Sequence, residues 1–256
     1  MASSRSGAKQ RQAGFAGNAA PALLLAWEEG CEASPGERGL LLLRLAAPAL
    51  PGDYCLAALS VGERDGLLLD LFERLFGRYA PALADCPTCS ETIEFDVPLD
   101  AIRVTPPPGR PESFTLVQDG HEVAYRLPRA GDLAALGARG GLESQDAARV
   151  LVSQCVLAPA ALNDGVDEAL EAAISAAVVV ADPQALVTLD LNCPSCAARW
   201  QAPFDILEFL WCRVDWFVRG LLREVHVLAS HYGWSEHDIV AMTAARRRHY
   251  IEMIET

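Results

Sequence analysis

The sequence predicts an α+β fold, mainly helical, with a small antiparallel strand unit assembled from distant parts of the chain. Three observations predict it. Apolar residues recur at helical spacing near both ends, as in Leu67, Leu68, Leu71, Leu75 and Phe76. Short polar and apolar alternations interrupt that pattern at Thr92 to Val97 and again at Val187 to Leu191. An Ala-rich stretch of helical composition lies between them, so the two strand segments are separated by an insertion rather than by a turn.

Taken in order, residues 1–20 are rich in Ala, Gly, Ser and Gln, with little to bury, and read as a disordered tail. Residues 21–80 form a helical block punctuated by Gly62 and Gly77. Residues 81–128 begin the strand unit. After the Pro106-Pro107-Pro108 break, Phe114 to Val117 and Val123 to Leu127 flank Asp119-Gly120, a two-strand turn signal that predicts a hairpin. Residues 129–184 are the helical insertion, and residues 185–204 return to the strand unit.

Residues 205–256 are helical to the end. Leu207, Leu210, Val214, Phe217, Leu221, Val225 and Leu228 mark one face of a helix about 35 to 40 Å long. Ile206, Phe209, Trp211 and Trp216 widen the apolar surface beyond one stripe, so this helix must be covered on more than one side. Gly233 ends it. Ser235 with Asp238 resembles a capping box, and Thr243 can cap a last short helix carrying Arg246, Arg247 and Arg248.

Acidic residues outnumber Lys plus Arg by 34 to 21, so the field around the molecule repels phosphate backbones and argues against nucleic acid as a partner. No segment approaches the roughly 18 uninterrupted apolar residues that span a bilayer. Arg5, Lys9 and Arg11 ahead of Ala19 to Trp27 imitate a signal peptide, but Glu28 and Glu29 stand where a cleavage site belongs. The expectation is a cytoplasmic protein whose eight cysteines are reduced, and there paired cysteines are more often ligands than disulfides.

Two segments resemble each other. Cys86-Pro87-Thr88-Cys89 leads into Thr92 to Val97, and Cys193-Pro194-Ser195-Cys196 leads into Arg199 to Phe204. A two-residue gap lets both thiolates of a tight turn face one tetrahedral ion, and proline after the first cysteine fixes the bend. Cys86, Cys89, Cys193 and Cys196 therefore predict a closed, structural Zn2+ site, and the strand unit becomes zinc-ribbon-like, with about a hundred residues between knuckles. The same motif in thioredoxin-like oxidoreductases opens a helix and occurs once, whereas both copies here precede strands. Cys31, Cys55, Cys155 and Cys212 lack such spacing and read as small core residues.

No convergent catalytic motif is evident. His121, His226, His231, His237 and His249 fall in no metalloprotease or nucleophile pattern, and Gly137 to Gly141 lacks the lysine of a phosphate-binding loop. Arg246 to Arg248 reads as a solvated helix face, with contact to an anion or acidic partner as the functional alternative.

The order of helical block, knuckle, helical insertion and second knuckle continues into Trp200, Phe204-Asp205-Ile206 and Phe209-Leu210-Trp211. Leu222 to His226 and Tyr232-Gly233-Trp234-Ser235-Glu236 follow, and Arg246 to Arg248 with Tyr250 close the pattern. Over roughly residues 21 to 254 this resembles the T-even phage type baseplate hub assembly chaperone family. Its members are encoded beside contractile phage tails and related extracellular contractile injection systems. The resemblance implies a non-enzymatic assembly factor whose partner is a baseplate hub or spike protein, and it carries over no catalytic residue. The family's phage prototype has no clear match to the knuckles, so the zinc assignment rests on their local chemistry. The alternatives are a zinc-ribbon nucleic-acid-binding or regulatory protein, against which the acidic segment Asp85 to Asp100 argues, and a thiol oxidoreductase. The working surface is expected on Phe204 to Ile254, which combines Trp211, Trp216 and Trp234 with the arginine cluster.

Overall fold

The computed structural model describes residues 19–48, 56–105, 109–118, 120–139, 143–157 and 166–255. Most of the expected disordered tail lies outside these residues, as do Cys55, Pro106 to Pro108 and Asp119 of the expected turn.

Among the described residues, α1 (Ala20–Gly30), α2 (Pro35–Ala46) and α3 (Val61–Phe76) are the main helices of the N-terminal part. Ser34 and Ser60 each cap the following helix through the amide of a glutamate three residues on. Glu37 and Glu63 reach back to the cap amides, so two reciprocal capping boxes open α2 and α3. Each such cap stabilises its helix by about 1 kcal/mol.

Gly62, in the first turn of α3, does not punctuate a helix as its sequence position suggests. A Cβ there would stand 2.1 Å from Asp182 Oδ1, and its N–H donates to Asp182 Oδ2 at 2.8 Å. Glycine is required because a buried carboxylate from the far side of the insertion approaches the backbone here.

Among the described residues the strands form three separate two-stranded antiparallel sheets. In the first, β1 (Tyr79–Asp85) pairs with β2 (Thr92–Pro98), from Tyr79 opposite Pro98 to Asp85 opposite Thr92. β1 is built from small residues, with Ala80, Ala82 and Ala84 buried on one face. The expected hairpin, β3 (Phe114–Gln118) with β4 (His121–Tyr125), follows a one-turn helix α4 (Leu99–Ile102). The third sheet pairs β5 (Val187–Asn192) with β6 (Arg199–Phe204). Between hairpins two and three lie α5 (Ala130–Arg139), α6 (Ser144–Cys155) and α7 (Glu168–Ala181).

The long helix α8 (Ile206–Tyr232) starts at Asp205, whose carboxylate accepts from the amides of Leu207 and Glu208, and stops at left-handed Gly233. Two short helices follow, α9 (Glu236–Ala241), capped by Ser235, and α10 (Ala244–Ile254), capped by Thr243.

Among the described residues three apolar clusters hold these elements. The largest joins α1, α2 and α3 to the first half of α8 and takes in Ala80, Ala82, Val97 and Phe204 from the strands. A second packs Leu221, Val225 and Leu228 of α8 against Ala20, Ile239 and Val240. The third places Val123 and Tyr125 of β4 against Val152, Val156, Leu170 and Ile174, so the insertion covers the β3–β4 hairpin.

Trp211 fills the angle between α1 and α2. Its ring lies within 2.2 Å of where a Cβ on Gly30 would be, and the Arg38 guanidinium sits 4.7 Å from its centroid. Among the described residues no helix is long and apolar enough to cross a membrane.

Candidate metal centre

The tips of two hairpins meet at the four cysteines. The β1–β2 pairing leaves residues 86–91 to turn the corner, and the β5–β6 pairing leaves residues 193–198. The two corners have the same backbone. Cys86 N–H donates to Glu91 O and Ser90 N–H to Cys86 O, each at 2.9 Å; Cys193 N–H donates to Ala198 O and Ala197 N–H to Cys193 O at the same distance. Ser90 and Ala197 both take φ 59°, a left-handed conformation that a residue with a Cβ adopts at a cost of about 1 kcal/mol. That fold of the backbone turns both sulfurs of each knuckle to the same side.

All four Sγ atoms lie within 4.8 Å of one another. The close pairs run between hairpins, with Cys86 to Cys196 and Cys89 to Cys193 each at 3.6 Å. Four thiolates around a zinc ion at about 2.3 Å stand about 3.8 Å apart, so the spacing fits such an ion. Cys86 and Cys193 are buried, and Cys89 and Cys196 are exposed.

The electrostatics of the cluster are compatible with a cation. Burial opposes ionisation of Cys86. The backbone N–H groups of Cys89 and Thr88, with the Cys196 and Cys89 thiols, outweigh it and bring this thiol down to about 6. Cys89 receives a favourable N–H from Glu91, yet the sulfurs of Cys196 and Cys193, with partial desolvation and Cys86, push it up to about 12. Cys196 is likewise raised: the Ala198 N–H and Cys89 favour its thiolate, but partial desolvation, Cys86 and Cys193 outweigh them. One thiolate is readily held in this cluster; four would repel one another without positive charge between them, and an all-sulfur set suits zinc or an iron–sulfur centre.

Among the described residues the other cysteines do not join the cluster. Cys155 is buried at the end of α6, where desolvation pushes its thiol up to about 11. Cys31 and Cys212 are half-buried. All five histidines are exposed.

The Arg246 to Arg248 run is not simply a solvated face. Arg247 is 2% exposed, and its Nε donates to Glu224 of α8 at 2.7 Å. Sequence reading also passed over a partly buried polar junction. Arg110 pairs with Asp182 at 2.8 Å and with Glu63 at 2.9 Å, tying the start of α3 to the end of α7. The signal was weak, since single Arg and Asp residues in loops carry no spacing.

A family model described as T4 bacteriophage base plate protein matches residues 23–158, just over half of the chain. The chain belongs to this family. No curated protein and no solved structure matches it. In this baseplate family member the matched span runs from α1 to the end of α6 and holds the first knuckle, Cys86 and Cys89. The second knuckle and α8 lie beyond it. So does Tyr232 to Glu236, where Trp234 stacks on Tyr232 at 4.4 Å and meets Tyr250 edge-on at 4.8 Å.

Proposed function

We propose that this baseplate-family protein is a cytoplasmic, non-enzymatic assembly factor for the hub of a contractile phage tail or tail-like injection system, stapled by one structural zinc ion. The observation that carries the reading is the junction of two matching knuckles, 104 and 110 residues apart along the chain at their closest sulfur pairs. Four thiolates fill a tetrahedral ion's coordination sphere, which suits a staple and leaves no position for a substrate. Family membership supports the baseplate setting and interaction with other baseplate components. The hub or spike as partner follows from the wider resemblance of the sequence.

The test is to express the tail gene cluster with and without this chain and to count sheathed particles by electron microscopy. Hubless or absent particles without the chain, restored by the wild type, support the reading. Normal particles without it overturn the assembly role, and purified protein lacking stoichiometric zinc overturns the staple.

A further inference from the structure

A cleft of 260 Å³ opens beside α8, between the end of α3 and the start of α10, lined by Phe76, Trp216, Phe217 and Gly220 with Arg213, Arg223 and Arg247. Four charged residues line it: Arg247 is matched by Glu224 at 2.7 Å, and Arg213 and Arg223 leave the cleft net positive, although the whole chain carries a net charge of −13. Arg213 lies 5.1 Å from the Phe76 ring centre and 5.3 Å from that of Trp216, so the apolar wall and the positive charge belong to one surface. Arg223 is exposed at the rim.

Gly220 lines this cleft. Glycine is the least favourable residue after proline in a helix interior, and most helical glycines that persist make room for a neighbour. Gly30 and Gly62 do so here, but a Cβ on Gly220 would meet nothing within 4 Å. Gly66 is equally open, so openness alone marks no site; Gly220 differs in lining a cleft of aromatic and cationic side chains.

We infer that this cleft is a docking site for an acidic segment of a protein partner, which seats one large apolar side chain over Gly220 and sets flanking carboxylates against Arg213 and Arg223. Charge complementarity selects the occupant. Residues 1–18 of this chain carry Arg5, Lys9 and Arg11 and no carboxylate, so the cleft repels them. A nucleic acid would bring a long array of phosphates against a strongly acidic molecule, whereas a short acidic segment is read mainly by charges within about 8 Å. That the occupant is a protein rests on the assembly-factor reading.

The test uses the full chain and a synthetic blocked peptide, Glu-Asp-Phe-Glu-Asp-Glu, titrated at about 0.15 M salt while the Trp216 indole N–H is followed by NMR. A saturable shift is expected. Gly220→Leu, which fills the floor with a better helix former, should weaken binding by about tenfold or more without lowering the melting temperature. The inference is overturned by an unmoved Trp216 signal at millimolar peptide or by equal binding to Gly220→Leu. Equal binding of a lysine-for-acid peptide or of an oligothymidylate overturns it too, as does self-association of the wild type that Gly220→Leu abolishes. Because the probe is synthetic, failure here leaves the assembly role to its own particle count.

Discussion

Arg247 of α10 reaches back to Glu224 of α8, with its guanidinium Nε donating to the carboxylate at 2.7 Å and a second nitrogen donating to Met242 O at 2.5 Å. The arginine side chain is 3% exposed and that of Glu224 17%, so the pair is shielded from water. Removing one partner of such a pair leaves an uncompensated charge and costs about 3 to 5 kcal/mol. Arg247→Ala is therefore expected to melt well below the wild type in calorimetry. Arg246→Ala, which loses an exposed contact over Tyr250, should shift stability by about 0.5 kcal/mol or less. Equal effects would mean that Arg247 does not anchor the last helix.

Cys193→Ser should release the metal and lower the melting temperature by about 10 °C or more, because the two hairpins then lose their common anchor. Cys31→Ser, outside the cluster, should change it by about 2 °C or less. Elemental analysis beside the melts separates the cases: a metal-free Cys31→Ser or a zinc-loaded Cys193→Ser contradicts the ligand set.

Gly62 and Gly66 lie one turn apart on α3 and make a matched pair. Alanine at Gly62 drives a Cβ to within 2.1 Å of Asp182 Oδ1 and should cost about 1 to 3 kcal/mol as the carboxylate and Arg110 are displaced. At Gly66 nothing lies within 4 Å of the added Cβ, so alanine should stabilise by about 0.5 to 1 kcal/mol. Urea unfolding of both variants checks the opposite signs.

Asp65 supplies a pH dependence. Burial is the main influence, and with Asp205 and Asp182 nearby it raises the carboxyl from 3.8 to about 6 against the pull of Arg64. The folded state thus binds this proton more tightly than the unfolded chain. Its contribution is fully present below about pH 4 and is lost as pH rises through about 6. Relative to Asp65→Asn, the wild type should gain up to about 3 kcal/mol on going from pH 7 to pH 4. A constant difference between the two proteins across that range would contradict a raised Asp65.

The elements with strong local signals were legible in the sequence. The knuckles announce themselves by spacing, α8 by its apolar period, and the caps at Ser235 and Thr243 by residue type. β1 was not legible, because Ala80, Pro81, Ala82 and Ala84 have low strand propensity and its alternation is between small residues. Small side chains suit the position, since the inner face of β1 is pressed against the core. Arg247 was misread for the opposite reason: a charge run looks solvated, and only the fold shows that its middle member faces a glutamate 23 residues back. The Asp182 junction needs three segments at once, and no local pattern could reveal it.

The distance between the knuckles also sets an order of events during synthesis. Cys86 and Cys89 leave the ribosome long before Cys196, which lies 110 residues beyond Cys86, and the whole insertion must be made in between. The four-sulfur cluster cannot close on a chain cut short within the insertion. A truncated product would keep the first hairpin but lack its clasp, leaving an open tip for proteases to find. A molecule in which the four sulfurs have met has therefore been made at least as far as Cys196, with the whole insertion behind it.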